Sequence, residues 1–395
     1  MQLCSGNTTI ELNHPSTISS KLPKNGTSIF SVMSSLANEH AAINLSQGFP
    51  DFYPDQRLMD LVTEGMRIGY NQYAPMPGLM ALREVIAHKT KSLYNTDYNP
   101  DTEVTVVPGA TYGIFAAITS VVREGDEVIL FEPAYDCYVP AIELSGGKPI
   151  QVELKFPNFN IDWDEVAKLI NFRTKMIIIN TPHNPSGSVL KEEDIRRLTK
   201  LVHGSDIVIL SDEVYEHIIF DSNQHTSAAL YPELAERSFI VSSFGKTYHT
   251  TGWKMGYVLA PENLTKELRK VHQYLAFSVN SPMQYAYSVM LQDPTTYNGL
   301  SSMYQAKRDF FVDLIRGSRF EIQPCSGSYF QLLKYDRISD EKDELFAKRL
   351  TIDHKIASIP ISVFYRNKTD NKVLRFCFAK SNETLERAAE ILCKI

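Results

Sequence analysis

The chain has 395 residues, 43% hydrophobic and 22% charged, an ordinary globular composition that supplies one large core and a smaller second one. A formal net charge of −6 removes the electrostatic case for nucleic acid or an anionic membrane surface as partner. No apolar run approaches bilayer-spanning length, and the first twenty-odd residues lack the apolar core of a signal peptide, so the expectation is a soluble, cytoplasmic protein.

In chain order, SIFSVMSSLANEH (28–40) reads as a helix. From about residue 100 to 260, short β-rich runs alternate with helix-length segments. The runs are EVTVV (103–107), EVILF (127–131), KMIIIN (175–180), DIVIL (206–210), SFIVS (238–242) and GYVLA (256–260). Helical pattern fills 111–122, 163–170 and 191–202. Continuous apolar strands separated by helices predict an α/β fold, with a mostly parallel sheet flanked by helices. Polar loops follow five of the runs: PGAT, EPAYD, NTPHNPSG, SDEVY and SSFGK. In an open parallel sheet, ligands bind in the crevice beyond the carboxyl ends of the strands, where these loops converge. FEIQPCSGSYFQLL (320–333) breaks the rhythm. The expected organisation is an arm and part of a small domain over 1–49, a large domain over 50–285 and a smaller α+β domain over 286–395. A helix running across residue 285 would blur the last boundary. The five cysteines, Cys4, Cys137, Cys325, Cys377 and Cys393, show no CxxC spacing and point to neither a disulfide framework nor a zinc site.

The chemistry-bearing residues each admit two readings. Lys246 follows a buried strand among the small residues Ser243, Gly245 and Thr247, with Lys254 eight residues on. It is a solvated lysine or an amine desolvated for condensation with an aldehyde. Asp212, at the end of DIVILSD, caps a helix or faces the nitrogen of a pyridoxal ring. Asn184 belongs to a turn or, with Tyr215, donates to that ring's phenolate oxygen. PGATYGIF is an ordinary strand–helix turn or a phosphate site at a helix N-terminus. Tyr135 is core or stacks on a flat ring. Arg375, amid apolar and aromatic neighbours, pairs with an internal acid or grips a substrate carboxylate.

Together, NPSG, SDEVYEH, SSFGKTYHTTGWK and RFCFAK, in this order and spacing, resemble the class I/II aminotransferases, fold-type I enzymes dependent on pyridoxal 5′-phosphate. The similarity covers SQGFPDF (46–52) to the C-terminus. SQGFPDF, NQYAPM, VHQYLAFSVN, NTPHNPS and IPISVFY bring it nearest to the bacterial methionine and the kynurenine–oxoglutarate members. The resemblance implies that Lys246 holds the cofactor as a Schiff base and shuttles protons, while Asp212 partners the pyridine nitrogen. Asn184 and Tyr215 become the phenolate donors, Tyr135 the stacking aromatic, and Gly109, Ala110, Thr111, Ser243 and Lys254 the phosphate cup. Arg375 becomes the α-carboxylate clamp, assisted by Asn184 and the backbone near Gly48. Tyr73 and Phe277 match residues contributed across an obligate homodimer with shared sites, Tyr73 to the phosphate and Phe277 to the side-chain pocket. Lys254 departs from the arginine of aspartate aminotransferases, and VHQYLAFSVNSPMQ has no arginine for a second substrate carboxylate. The expected function is ping-pong amino transfer from an L-amino acid with a methionine, aromatic or other large uncharged side chain to a 2-oxo acid. A carbon–sulfur β-lyase acting on cysteine conjugates is the alternative.

Overall fold

The computed structural model describes residues 18–23 and 25–395. The first 17 residues of the predicted 1–49 segment, Cys4 among them, lie outside this range. Helix α1 (Ile29–Glu39) is capped by Ser28, whose hydroxyl accepts the Ser31 amide, and leads to the two-residue strand β1 (Ile43–Asn44). Helices α2 (Gln56–Arg67) and α3 (Met80–Tyr94) follow.

Among the described residues, seven strands form the central sheet: β2 (Val104–Val107), β3 (Glu127–Glu132), β4 (Lys148–Glu153), β5 (Thr174–Asn180), β6 (Val208–Asp212), β7 (Ser238–Ser243) and β8 (Gly256–Leu259). Their order is β2-β8-β7-β6-β5-β3-β4, and every neighbouring pair is parallel except those made by β8. Both faces are buried, and successive residues of one strand enter different cores. Ile129, Ile177, Ile179, Ile209 and Ile240 pack on one side. Val128, Met176, Ile178, Leu210 and Val241 pack on the other, beneath α4 (Ala110–Val121). Period-2 alternation with both sides apolar is why these strands read as continuous hydrophobic runs.

Two features differ from the sequence expectation. GYVLA is an antiparallel strand: the twelve residues linking β7 to β8 form only the turns Phe244–Thr247 and Thr251–Trp253, with no helix long enough for a crossover. Strand β4 was not among the expected runs. It is an edge strand with Pro149 near its start, half-exposed, and so lacks the apolar continuity of its neighbours.

A second sheet of β9 (Glu321–Ile322), β10 (Phe330–Lys334), β12 (Ile359–Pro360) and β13 (Val373–Cys377) is antiparallel, in the order β12-β13-β10-β9. Strand β11 (Ile356–Ala357) pairs in parallel with β1, so the segment following α1 is tied to the C-terminal part of the chain. Helix Ser281–Met290 runs across residue 285 and packs on α2 and α3. Among the described residues no helix is long and apolar enough to cross a membrane.

Candidate active site

The five loops that follow β2, β3, β5, β6 and β7 emerge along one edge of the large sheet, since these strands share a direction. Because β8 runs the other way, its N-terminal flank with Lys254 reaches the same edge. The second sheet faces this edge and contributes Arg375 from β13 and Phe330 from β10. Between them lies a cavity of about 210 Å³. Gly48, Gly109, Ala110, Thr111, Tyr135, Asn184, Asp212, Tyr215, Ser243, Lys246, Lys254 and Arg375 all line it. Three cations face one carboxylate there, so an acidic chain has built a cavity for an anionic ligand.

Asp212 is the last residue of β6, paired in register with Asn180 and Val241. Its Oδ2 accepts the Tyr138 hydroxyl at 2.5 Å, and its Oδ1 accepts the Val214 amide at 3.3 Å. Burial pushes its pKa up to about 6, against the stabilising hydrogen bond from Tyr138. Among the described residues no lysine or arginine hydrogen-bonds it, so a buried carboxylate faces the cavity with only the more distant charge of Lys246 acting on it.

Lys246 sits in the single helical turn Phe244–Thr247 directly after β7. Its Nζ donates to the Tyr329 hydroxyl at 2.7 Å and to the Gly48 carbonyl at 3.1 Å. Desolvation lowers its pKa to about 8, with Arg375 and Lys254 adding to that direction. The surface-lysine reading therefore fails on geometry: this is a half-buried, hydrogen-bonded lysine that faces the cavity, with its amine partly desolvated.

The N-terminus of α4 carries no side-chain cap, leaving the amides at 110 and 111 facing the cavity. Gly109 adopts φ +85°, and a Cβ there would stand 3.4 Å from Lys254 Cε. Gly256 holds the floor: a Cβ would meet Ser242 O at 2.6 Å and the Ala110 amide nitrogen at 3.1 Å. Ser243 and Thr251 add hydroxyls, and Lys254 is exposed at the rim. The Tyr135 hydroxyl lies 3.1 Å from Thr111 Oγ1, which fixes its ring beside this cup.

Arg375 is fully buried, and among the described residues no acid pairs with it. Its Nη1 donates to Asn184 Oδ1 at 2.8 Å and its Nη2 to the Ser46 carbonyl at 3.0 Å, while Nε has no partner among the described residues. The guanidinium lies 3.8 Å from the centroid of the Phe330 ring. Asn184 is itself anchored, its amide donating to Asn180 Oδ1 at 2.8 Å. Desolvation lowers the arginine's pKa to about 10. A buried guanidinium whose hydrogen-bond partners are neutral has the chemistry to take a carboxylate.

Tyr73 and Phe277 lie off this cavity within one chain. They meet on the surface in an edge-to-face pair with centroids 5.5 Å apart, and are 83% and 39% exposed. Tyr138, Tyr329, Asn180, Phe30 and Phe330 belong to the site and were not among the sequence candidates. Only Tyr138 carried a local signal, standing three residues after Tyr135 in the same loop.

The residues fit the expected cofactor: a buried acid for a ring nitrogen, a desolvated amine for an aldehyde, and free amides with a cation for a phosphate. Comparison with known proteins agrees. Residues 41–392 match the family described as aminotransferase class I and II. The chain is 50% identical to methionine aminotransferase of Escherichia coli, over 96% of this chain and 99% of that protein. It is 33% identical to kynurenine–oxoglutarate transaminase of Dictyostelium discoideum, over 94% of each. An E. coli crystal structure assigned a methionine aminotransferase function superposes with a TM-score of 0.94 at 49% identity, covering 96% of this chain and all of that one.

Proposed function

Because the chain belongs to the class I and II aminotransferases, it is a pyridoxal-phosphate-dependent amino-acid aminotransferase, and we propose that methionine and other large uncharged amino acids are its preferred donors. The observation that carries the preference is the cavity's cation set: among the described residues Arg375 is the one arginine lining it, and a single α-carboxylate would occupy its free donors. A second carboxylate would be desolvated without a partner, whereas an apolar side chain gains burial. The relatives named for methionine and kynurenine support the same direction.

When bound, pyridoxal phosphate supplies an aldehyde that carries the amino group and a ring that withdraws electrons. The chain's own residues do the rest. Lys246 Nζ is the amine that would hold the cofactor's aldehyde and would move the proton at the substrate Cα. Asp212 holds a proton at the ring nitrogen, and Tyr138 holds Asp212. Asn184 and Tyr215 donate to the phenolic oxygen. Gly109, Ala110, Thr111, Ser243 and Lys254 bind the phosphate, and the Tyr135 ring supports the cofactor's face. Arg375, with Asn184 and the backbone at Gly48, orients the α-carboxylate. Donor and oxo-acid acceptor use the same clamp in turn, which is ping-pong order. Residues 50–285 act as the cofactor-binding unit, and Phe330 and Arg375 from 286–395, with Phe30, Gln47 and Gly48 from the N-terminal part, close the site.

The exposed Tyr73–Phe277 pair, beside the exposed Tyr274 and Leu275, suits a surface that a second copy covers, bringing both aromatics to the partner's site in a homodimer. Sedimentation analysis tests this, and a monomer with full activity would refute it.

Steady-state kcat/KM for methionine, phenylalanine, kynurenine and aspartate, at one saturating oxo acid, tests the specificity. Methionine and the aromatics should lie within about 10–200-fold of one another, with aspartate below them. Aspartate ranking first refutes the preference. Release of pyruvate and ammonia from cysteine conjugates, faster than amino transfer, would make the protein a β-lyase instead.

A further inference from the structure

We propose that Tyr329 is a positioning residue for the catalytic amine: its hydroxyl and the Gly48 carbonyl form a berth that holds Lys246 Nζ whenever the lysine is not bonded to the cofactor. The inference rests on the assignment of Lys246 as the cofactor lysine. Its basis is a closed triangle of polar atoms. Nζ donates to the Tyr329 hydroxyl at 2.7 Å and to the Gly48 carbonyl at 3.1 Å, and the same hydroxyl donates to that carbonyl. The berth is built, not incidental. Tyr329 is fully buried, and edge contacts with Tyr215 at 5.0 Å and Phe330 at 4.9 Å between centroids fix its ring. The carbonyl can come this close because residue 48 is glycine, since a Cβ there would meet Phe330 Cζ at 2.7 Å.

The two partners of the amine are not equivalent. A carbonyl can only accept, so it serves the ammonium alone. A hydroxyl accepts from the ammonium and, by swinging its proton away from Gly48, donates to the lone pair of the neutral amine. An amine that must take a proton and then give it up needs a neighbour able to do both. Desolvation lowers the amine's pKa toward about 8, nearer to neutrality than an ordinary lysine. Without the hydroxyl the ammonium loses more than the amine, because hydrogen bonds to charged groups are the stronger ones.

The test uses the full-length holoenzyme, converted to its aminated form by an amino donor without acceptor, so that Lys246 is free. Trace labelling with acetic anhydride from about pH 6 to 10, followed by peptide mapping, gives the ionisation midpoint of Lys246. In Tyr329→Phe the midpoint should fall by about half to one pH unit. Turnover should fall about tenfold at unchanged KM, with a larger isotope effect for donor deuterated at Cα. An unmoved midpoint, or a loss carried by KM alone, makes Tyr329 a packing residue and overturns the proposal. Should Tyr329→Phe not fold, p-aminophenylalanine at position 329 fills the same space while weakening the acceptor, and the same shift is required of it. Borohydride trapping in the wild type separates the two failures. Cofactor trapped on another lysine refutes the assignment of Lys246, whereas cofactor trapped on Lys246 with an unmoved midpoint refutes only the berth.

Discussion

Arg375 offers the sharpest single test of the site, because its surroundings fix what its loss must do. The guanidinium is fully buried, has neutral partners in Asn184 and the Ser46 carbonyl, and has an Nε without a partner among the described residues. A substrate carboxylate arriving there is desolvated too, so truncation to alanine strands it without a counter-charge. Removing one member of such a pair costs about 2–5 kcal/mol, which is about 30- to 5,000-fold in kcat/KM. Arg375→Lys keeps a charge but loses the planar fork and its stacking on Phe330. Losing one charge-assisted hydrogen bond is worth about 1.5–3 kcal/mol, or about 10- to 150-fold. The assay is kcat/KM for several donors and several oxo acids. Since every one of them carries an α-carboxylate, the loss must be uniform across side chains. A loss confined to acidic substrates would move Arg375 from the α-carboxylate to a side-chain contact and refute the reading of the clamp.

Three further outcomes are expected. Lys246→Ala should abolish the visible absorbance of covalently bound cofactor and nearly all turnover, with borohydride mapping marking Lys246 in the wild type; a label on another lysine would refute the assignment. Asp212 has a folded pKa of about 6 against 3.8 for the ordinary carboxyl, so the folded state binds its proton more tightly. Its burial costs nothing below about pH 4 and about 3 kcal/mol above pH 6 in the cofactor-free chain. Urea denaturation should therefore show Asp212→Asn gaining stability over the wild type between pH 4 and pH 8, and a constant difference would contradict this. Lys89 and Glu216 form a buried pair at 2.7 Å behind the site, so Glu216→Gln should cost about 3–5 kcal/mol, while replacing both by methionine and leucine should cost less in the same denaturation assay.

Much of this architecture is legible in the sequence for a definite physical reason. Strands buried on both faces read as unbroken apolar runs, and the polar loops after them stand out by contrast. Lys246 and Asn184 lie just after the strands and Asp212 at the end of one, and they were visible for that reason. Strand β4 was not, because an edge strand half open to water has the composition of its surroundings. The direction of β8 was readable only from the brevity of its connection. Tyr329 and Phe330 escaped notice because nothing local distinguishes them among 20 tyrosines and 20 phenylalanines. Their roles arise from the second sheet folding back over the first, a long-range event without a short motif. Tyr73 and Phe277 carry a different lesson: a family motif flagged them, yet a single chain leaves them on its surface.

The division of the large sheet into two cores bears on how the protein tolerates change. Val128 and Ile129 are joined by a peptide bond, yet one packs beneath α4 and the other on the opposite face, with the sheet between them. Defects at such chain neighbours share no packing partners, so their destabilisations should sum, as those of distant sites do. Ile129 and Ile177 belong to different strands and stand opposite each other in register on one face. A defect at one leaves room into which the other relaxes, so their combined effect should depart from the sum. Distance along the chain is thus a poor guide to which substitutions feel one another here; the parity of the residue within its strand is a better one.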